Sequence, residues 1–128
     1  MLRLKKYTGT EKADFYIQSH GEHAGRPLKE PIRNCYAVWT DTLYAYEICT
    51  CLFIAKRYQY FLIGSCVQFV RLREVQQFLQ EEFSKNYKAE NLQQLQNAMA
   101  LHERQKQVLK KVNQLITAFA QSVAYHSK

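Results

Sequence analysis

Glycine and proline are scarce in this chain, four and two among 128 residues. So few backbone-turning residues argue against a turn-rich all-β fold, and a 47% hydrophobic content excludes a disordered chain. Long apolar runs are missing as well. The best candidate, 48–55, is too short to span a membrane and ends against Lys56 and Arg57. No apolar run follows the first six residues, so the sequence predicts no secretory signal. None of the four cysteines (Cys35, Cys49, Cys51, Cys66) forms a C-x-x-C pair. Three of them sit among apolar residues, where a free thiol packs as a small hydrophobe. These features predict free thiols in a reducing, cytoplasmic setting.

What remains is a basic, aromatic-rich chain of single-domain length. Its net charge is +7, and Tyr outnumbers Phe nine to seven. Tyr suits surfaces that are half buried or that meet a partner. The charge is uneven: residues 91–128 hold five basic groups and only Glu103 against them. A positive field favours anionic partners, although charge of this size also serves plain solubility.

Along the chain, Phe15-Tyr16-Ile17 reads as a short strand, with 5–7 as an edge strand before it. The segment 35–40 (Cys-Tyr-Ala-Val-Trp-Thr) is the clearest strand, β-branched and aromatic. A helix is expected from Thr40 or Asp41 as N-cap, with Tyr44, Ile48, Cys51, Leu52 and Ala55 on one face and Lys56 and Arg57 closing it. The run 60–63 reads as a buried strand, broken by Gly64-Ser65. From about Glu74 the chain turns helical, with Val75, Phe78, Leu79 and Phe83 on a buried stripe and an interruption at 85–88. The last segment, from Ala89 to about Ala124, lacks Gly and Pro and is rich in good helix formers. Leu92, Leu95 and Met99 begin an apolar spacing there. Leu109, Val112, Ile116, Phe119 and Val123 resume it after a polar middle. The helix therefore bends at that middle, or exposes it while both ends pack. Its apolar face implies a helical hairpin or a homodimer. The expectation is one α+β domain over 1–128, mixed through 73 and helical over 74–124. A small antiparallel or mixed sheet packs on helices, followed by a long C-terminal helix or helical hairpin.

The loop 19–33 is the strongest functional candidate. It holds both prolines and two glycines, and gathers His20, His23, Arg26, Lys29 and Arg33 around Gly21 and Gly25. Glycine lets backbone N–H groups approach an anion, and arginine clamps phosphate oxygens in bidentate fashion. The plainer reading is a connecting loop whose Gly and Pro set turn geometry. G-x-x-x-G-R lacks the ending of a P-loop, and no G-x-G-x-x-G is present. A second basic group joins Arg57, Arg71 and Arg73 to Lys56, with Tyr58, Tyr60 and Phe61 interleaved, a composition suited to stacking on bases. The third (Arg104, Lys106, Lys110, Lys111) reads as a solvated helix face. His20, Glu22, His23 and Cys35 do not complete a zinc set, so no metal is expected. Cys35 or Cys66 beside His20 has no local mark of activation, Ser65 lacks a G-x-S-x-G elbow, and Glu81-Glu82 sits on a solvated face. No enzyme and no cofactor is expected.

Several pieces in fixed order carry a resemblance: Phe15-Tyr16-Ile17-Gln18-Ser19-His20-Gly21, then Ala24-Gly25-Arg26-Pro27-Leu28, then Leu62-Ile63-Gly64-Ser65-Cys66-Val67 and the run from Phe69 to Val75. The chain resembles a family of small proteins from Bacteroidales genomes and their mobile elements, phage-associated and without an established activity. It is more faintly similar to the target-recognition domains of type I restriction specificity subunits, which implies DNA contact. A mobile-element lineage implies an anti-defence role. The functional expectation is thus a non-catalytic binding protein for an anionic ligand, nucleotide or nucleic acid, in phage–host conflict, such as sequestering a nucleotide signal. It would act as a homodimer or higher homo-oligomer, away from membranes. The alternative is a protein-interaction module that oligomerises, or binds a partner, through its C-terminal helices.

Overall fold

The computed structural model describes residues 1–126, in two compact units: Met1–Lys88 and a second beginning at Ala89. The first unit is built on a four-stranded antiparallel sheet in the order β1-β4-β2-β3. Its strands are β1 (Leu2–Lys6), β2 (Phe15–Gln18), β3 (Pro27–Leu28) and β4 (Cys35–Thr40). β4 is central because its residues can be buried on both faces: Cys35, Tyr36, Ala37 and Val38 are all buried. Alternation assigns the faces. Tyr36 and Val38 share one with Ile17, Phe15 and Leu4, their register partners. The Phe15 ring meets Tyr46 of the first helix, α1 (Ala45–Ile54), edge-on at 5.7 Å, and the Tyr36 hydroxyl donates to the Val70 carbonyl at 2.7 Å, so this face lies under the helices. The opposite face packs Tyr16, Cys35 and Ala37 against Tyr7, Ala13, Leu28 and Trp39. Arg3 lies over the Trp39 ring at 4.8 Å.

Helix α1 (Ala45–Ile54) packs beside β3, and α2 (Leu72–Phe83) beside β1. Val75, Leu79 and Glu82 are the buried residues of α2, spaced for one stripe. A 3-10 helix over Arg57–Phe61 separates the two helices. The strand expected at 60–63 is not formed. Its aromatics suggested a buried pleat, but Tyr60 is 88% exposed and Tyr58 is the buried ring of that stretch. Tyr58, Phe61 and Phe78 close on each other edge-on at 5.2–5.4 Å. Only single-residue bridges remain of the strand signal here, from Phe69 to His20 and to Ile63.

α1 also starts later than expected. Asp41 is taken by the Met1 ammonium at 2.7 Å, and the Thr40 hydroxyl accepts from the Thr42 N–H, so neither caps the helix. The N-cap is Tyr44, and Lys56 lies just past the other end. Both are non-glycine residues in the left-handed region, with φ 60° and 59°. Lys56 and Arg57 therefore follow the helix instead of closing its last turn, which holds no basic residue.

The cysteines divide evenly: Cys35 and Cys49 are buried, Cys51 and Cys66 exposed. Burial pushes the Cys35 and Cys49 thiols up, and Cys49 strongly. An aromatic disulfide reagent should titrate two thiols in the native chain and the other two only after denaturation. Substituting Ser at Cys51 and Cys66 should abolish the native reaction, read by absorbance of the released thiolate.

The second unit is one helix, α3 (Ala89–His126), of 38 residues. It is unbroken, so the hairpin alternative does not hold. Leu92 is buried near its start, and every described residue from Leu101 onward is exposed. Among the described residues no helix is long and apolar enough to cross a membrane.

Candidate functional site

The loop after β2 folds tightly on itself. Gln18 bonds to both Gly25 and Arg26 across the turn: its N–H donates to Arg26 C=O at 2.9 Å, and Gly25 N–H donates to its C=O at 2.7 Å. Gly21 N–H reaches Gln68 C=O at 2.7 Å, while Ala24 and Arg26 N–H donate to the carbonyls of Gly21 and His23. The glycine N–H groups that the sequence offered to an anion are thus engaged by carbonyls. Gly25 has a different reason to be glycine. It has φ 98° and lies against Tyr58, so that a Cβ would stand 2.7 Å from the ring.

The cations named from the sequence are held in different places. The Arg26 guanidinium donates to Gln18 Oε1 at 3.1 Å, and Lys29 sits 5.5 Å from the centre of the Tyr46 ring. Arg33 is exposed at the end of the loop. Arg57 pairs with Glu82 at 3.3 Å and Arg71 with Glu74 at 3.8 Å. Arg73 lies on α2 beside Gln76, Gln77 and Gln80 along a surface depression. His20 stacks on Phe69 at 5.4 Å, with Nδ1 2.7 Å from the Ser19 hydroxyl. Among the described residues no group of three or more His, Cys, Asp or Glu is placed to hold a metal ion.

His23 of the loop and Lys56 of the second basic group line one cavity. A cleft of about 420 Å³ opens between the 22–24 turn and the end of α1 with its 3-10 helix. This is the size of a small-ligand site. Its apolar part includes Phe53, Ile54 and Leu62, with the Tyr58 ring; its polar part is His23, Glu22, Lys56, Gln59 and Gln68. The His23 ring meets Phe53 edge-on at 6.5 Å. Lys56 forms no ion pair among the described residues, in contrast to Arg57 next to it. Its left-handed backbone is one a glycine would adopt without steric cost, and a lysine adopts it at about 1 kcal/mol or more. Sequence reasoning groups Lys56 with Arg57 but passes over Gln59, Gln68 and Phe53, which nothing local distinguishes. The only signal is the aromatic-basic interleaving at 56–61.

A model of the family described as "Family of unknown function (DUF6943)" matches residues 4–126. No curated protein matches, and no solved structure does.

Proposed function

The chain belongs to this family of unknown function, and from its own geometry we propose that the first unit binds a small anionic ligand, a nucleotide, in the cleft beside Lys56. The observation that carries the reading is one cleft lined both by an apolar, aromatic wall and by Lys56, which has no ion pair among the described residues. A base can lie against Phe53 and Leu62. A phosphate then meets Lys56, a strong donor to anions. The amides of Gln59 and Gln68 offer donors and acceptors to the base edge. Glu22 accepts from a hydroxyl or an exocyclic amine, and disfavours a ligand that carries only negative charge. No catalytic constellation is invoked; the site holds its ligand unchanged. In a mobile-element lineage of the kind the resemblance implies, such binding would sequester a nucleotide signal in phage–host conflict.

Lys56→Gly separates binding from folding. It removes the ammonium and relieves the left-handed backbone, so stability should stay within about 1 kcal/mol while affinity falls about tenfold. Calorimetric titration with a panel of mono- and dinucleotides reads the affinity, and thermal unfolding reads the stability. Unchanged affinity in that variant, or no binding by the natural chain at low salt, rejects the cleft. Salt-sensitive binding to DNA without nucleotide binding would move the reading to nucleic acid.

A further inference from the structure

We propose that the apolar stripe of α3 is the face on which a second copy of this chain packs. Between Val108 and Val123 seven large apolar residues are exposed. At 100° per residue all seven fall within about 120° of the helix circumference, centred on Val112. No polar residue of that stretch falls inside the arc. Leu115 and Phe119 are 70% and 73% exposed, so the stripe is open along its length.

Three observations favour a copy of the same chain as the occupant. The first is the helix itself. A solvated helix without a packed face is marginal in water, because helices in proteins draw most of their stability from burying an amphipathic side. From Leu101 onward α3 buries nothing among the described residues, and its single unbroken run leaves no second arm to fold back. The second is area. Seven such residues, 44–73% exposed, offer an apolar surface of the order that each partner contributes to an interface of standard size, roughly 800 Å². The third is charge. Lys106, Lys110 and Lys111 all lie outside the arc, so the stripe itself carries no charge to be buried when two copies meet on it. Self-complementary patches of this kind are how two-fold pairs form.

Light scattering on the full chain, with no ligand added, should return twice the 15.1 kDa chain mass or a higher multiple. Raising the salt should not reduce it, because the contact is apolar. Ile116→Glu together with Phe119→Glu should give the single-chain mass. The pair Gln114→Glu and Gln121→Glu, on the opposite side of α3, should keep the multiple. A single-chain mass for the natural protein overturns the proposal, and so does an undiminished multiple in the stripe variant. Monomer that instead partitions onto vesicles of anionic lipid also overturns it, assigning the stripe to a membrane surface. None of these readings depends on Lys56 or on a nucleotide, so this proposal and the cleft stand or fall separately.

Discussion

Gly25→Ala should lower the stability of the chain by about 3 kcal/mol, read as a fall in the urea midpoint with an unchanged slope. Two costs combine. The residue has φ 98°, where any Cβ is strained, and the added methyl would stand 2.7 Å from two ring atoms of Tyr58. Tyr58 has no easy retreat. Its ring is locked edge-on between Phe61 and Phe78, and its buried hydroxyl finds no hydrogen-bond partner among the described residues. Gly9 supplies the control. It too has a positive φ, 108°, but no atom lies within 4 Å of the place a methyl would take there, so Gly9→Ala bears the backbone strain alone. Equal losses at the two positions would show that the ring contact contributes nothing. Because Tyr58 also borders the cleft, Gly25→Ala should weaken nucleotide binding as well.

Glu82→Ala should cost about 2 kcal/mol, a large effect for one substitution. Its carboxylate is only 4% exposed and collects Lys85 at 2.8 Å, the Tyr87 hydroxyl at 2.8 Å and Arg57 at 3.3 Å. The two cations are half exposed, which keeps the loss below that of a fully buried pair. Burial alone would raise this carboxyl's pKa. The hydrogen bonds from Lys85 and Tyr87, and the charges of Lys85 and Arg57, outweigh it and hold the pKa below the ordinary 4.5. A depressed folded pKa gives stability that is present above the unfolded value and lost as pH falls through the folded one. Glu11 acts in the same direction, held at about 2 by the Thr8 hydroxyl and N–H. Stability should therefore decline as pH falls from 4.5 toward 2, and Glu82→Ala should flatten the upper part of that decline in acid unfolding followed by circular dichroism. An acid limb identical to that of the natural chain would discount Glu82. On the other partner, burial and the bond to Glu82 push Tyr87 up to about 12.

The strands are legible in the sequence where alternation and β-branching agree. The segment 35–40 reads as a strand with the bounds it has, and β2 within one residue. The helices are legible from periodicity, including the break at 85–88. What misleads is chemistry without context. Thr40 and Asp41 are good caps by type, but other partners claim both, and α1 starts three to four residues later on a left-handed Tyr44. The run 60–63 looks like a strand, but a left-handed Lys56 opens a 3-10 helix that takes its first two residues. The candidate site is half legible for a related reason. Composition points to the 19–33 loop, yet backbone pairing consumes its N–H groups. The cleft is completed by Phe53, Lys56 and Gln68, which are distant in sequence from His23 and carry no motif.

The two borders of the sheet bear on how copies of this chain can meet. One border is β3, only two residues long and opening with Pro27, which has no N–H to give. The other is β1, whose Arg3, Lys5 and Lys6 are exposed and would face their own kind across any added strand. Neither border offers a template on which chains can zip together end over end. At high concentration the sheet borders should therefore not seed fibres, which thioflavin fluorescence would read.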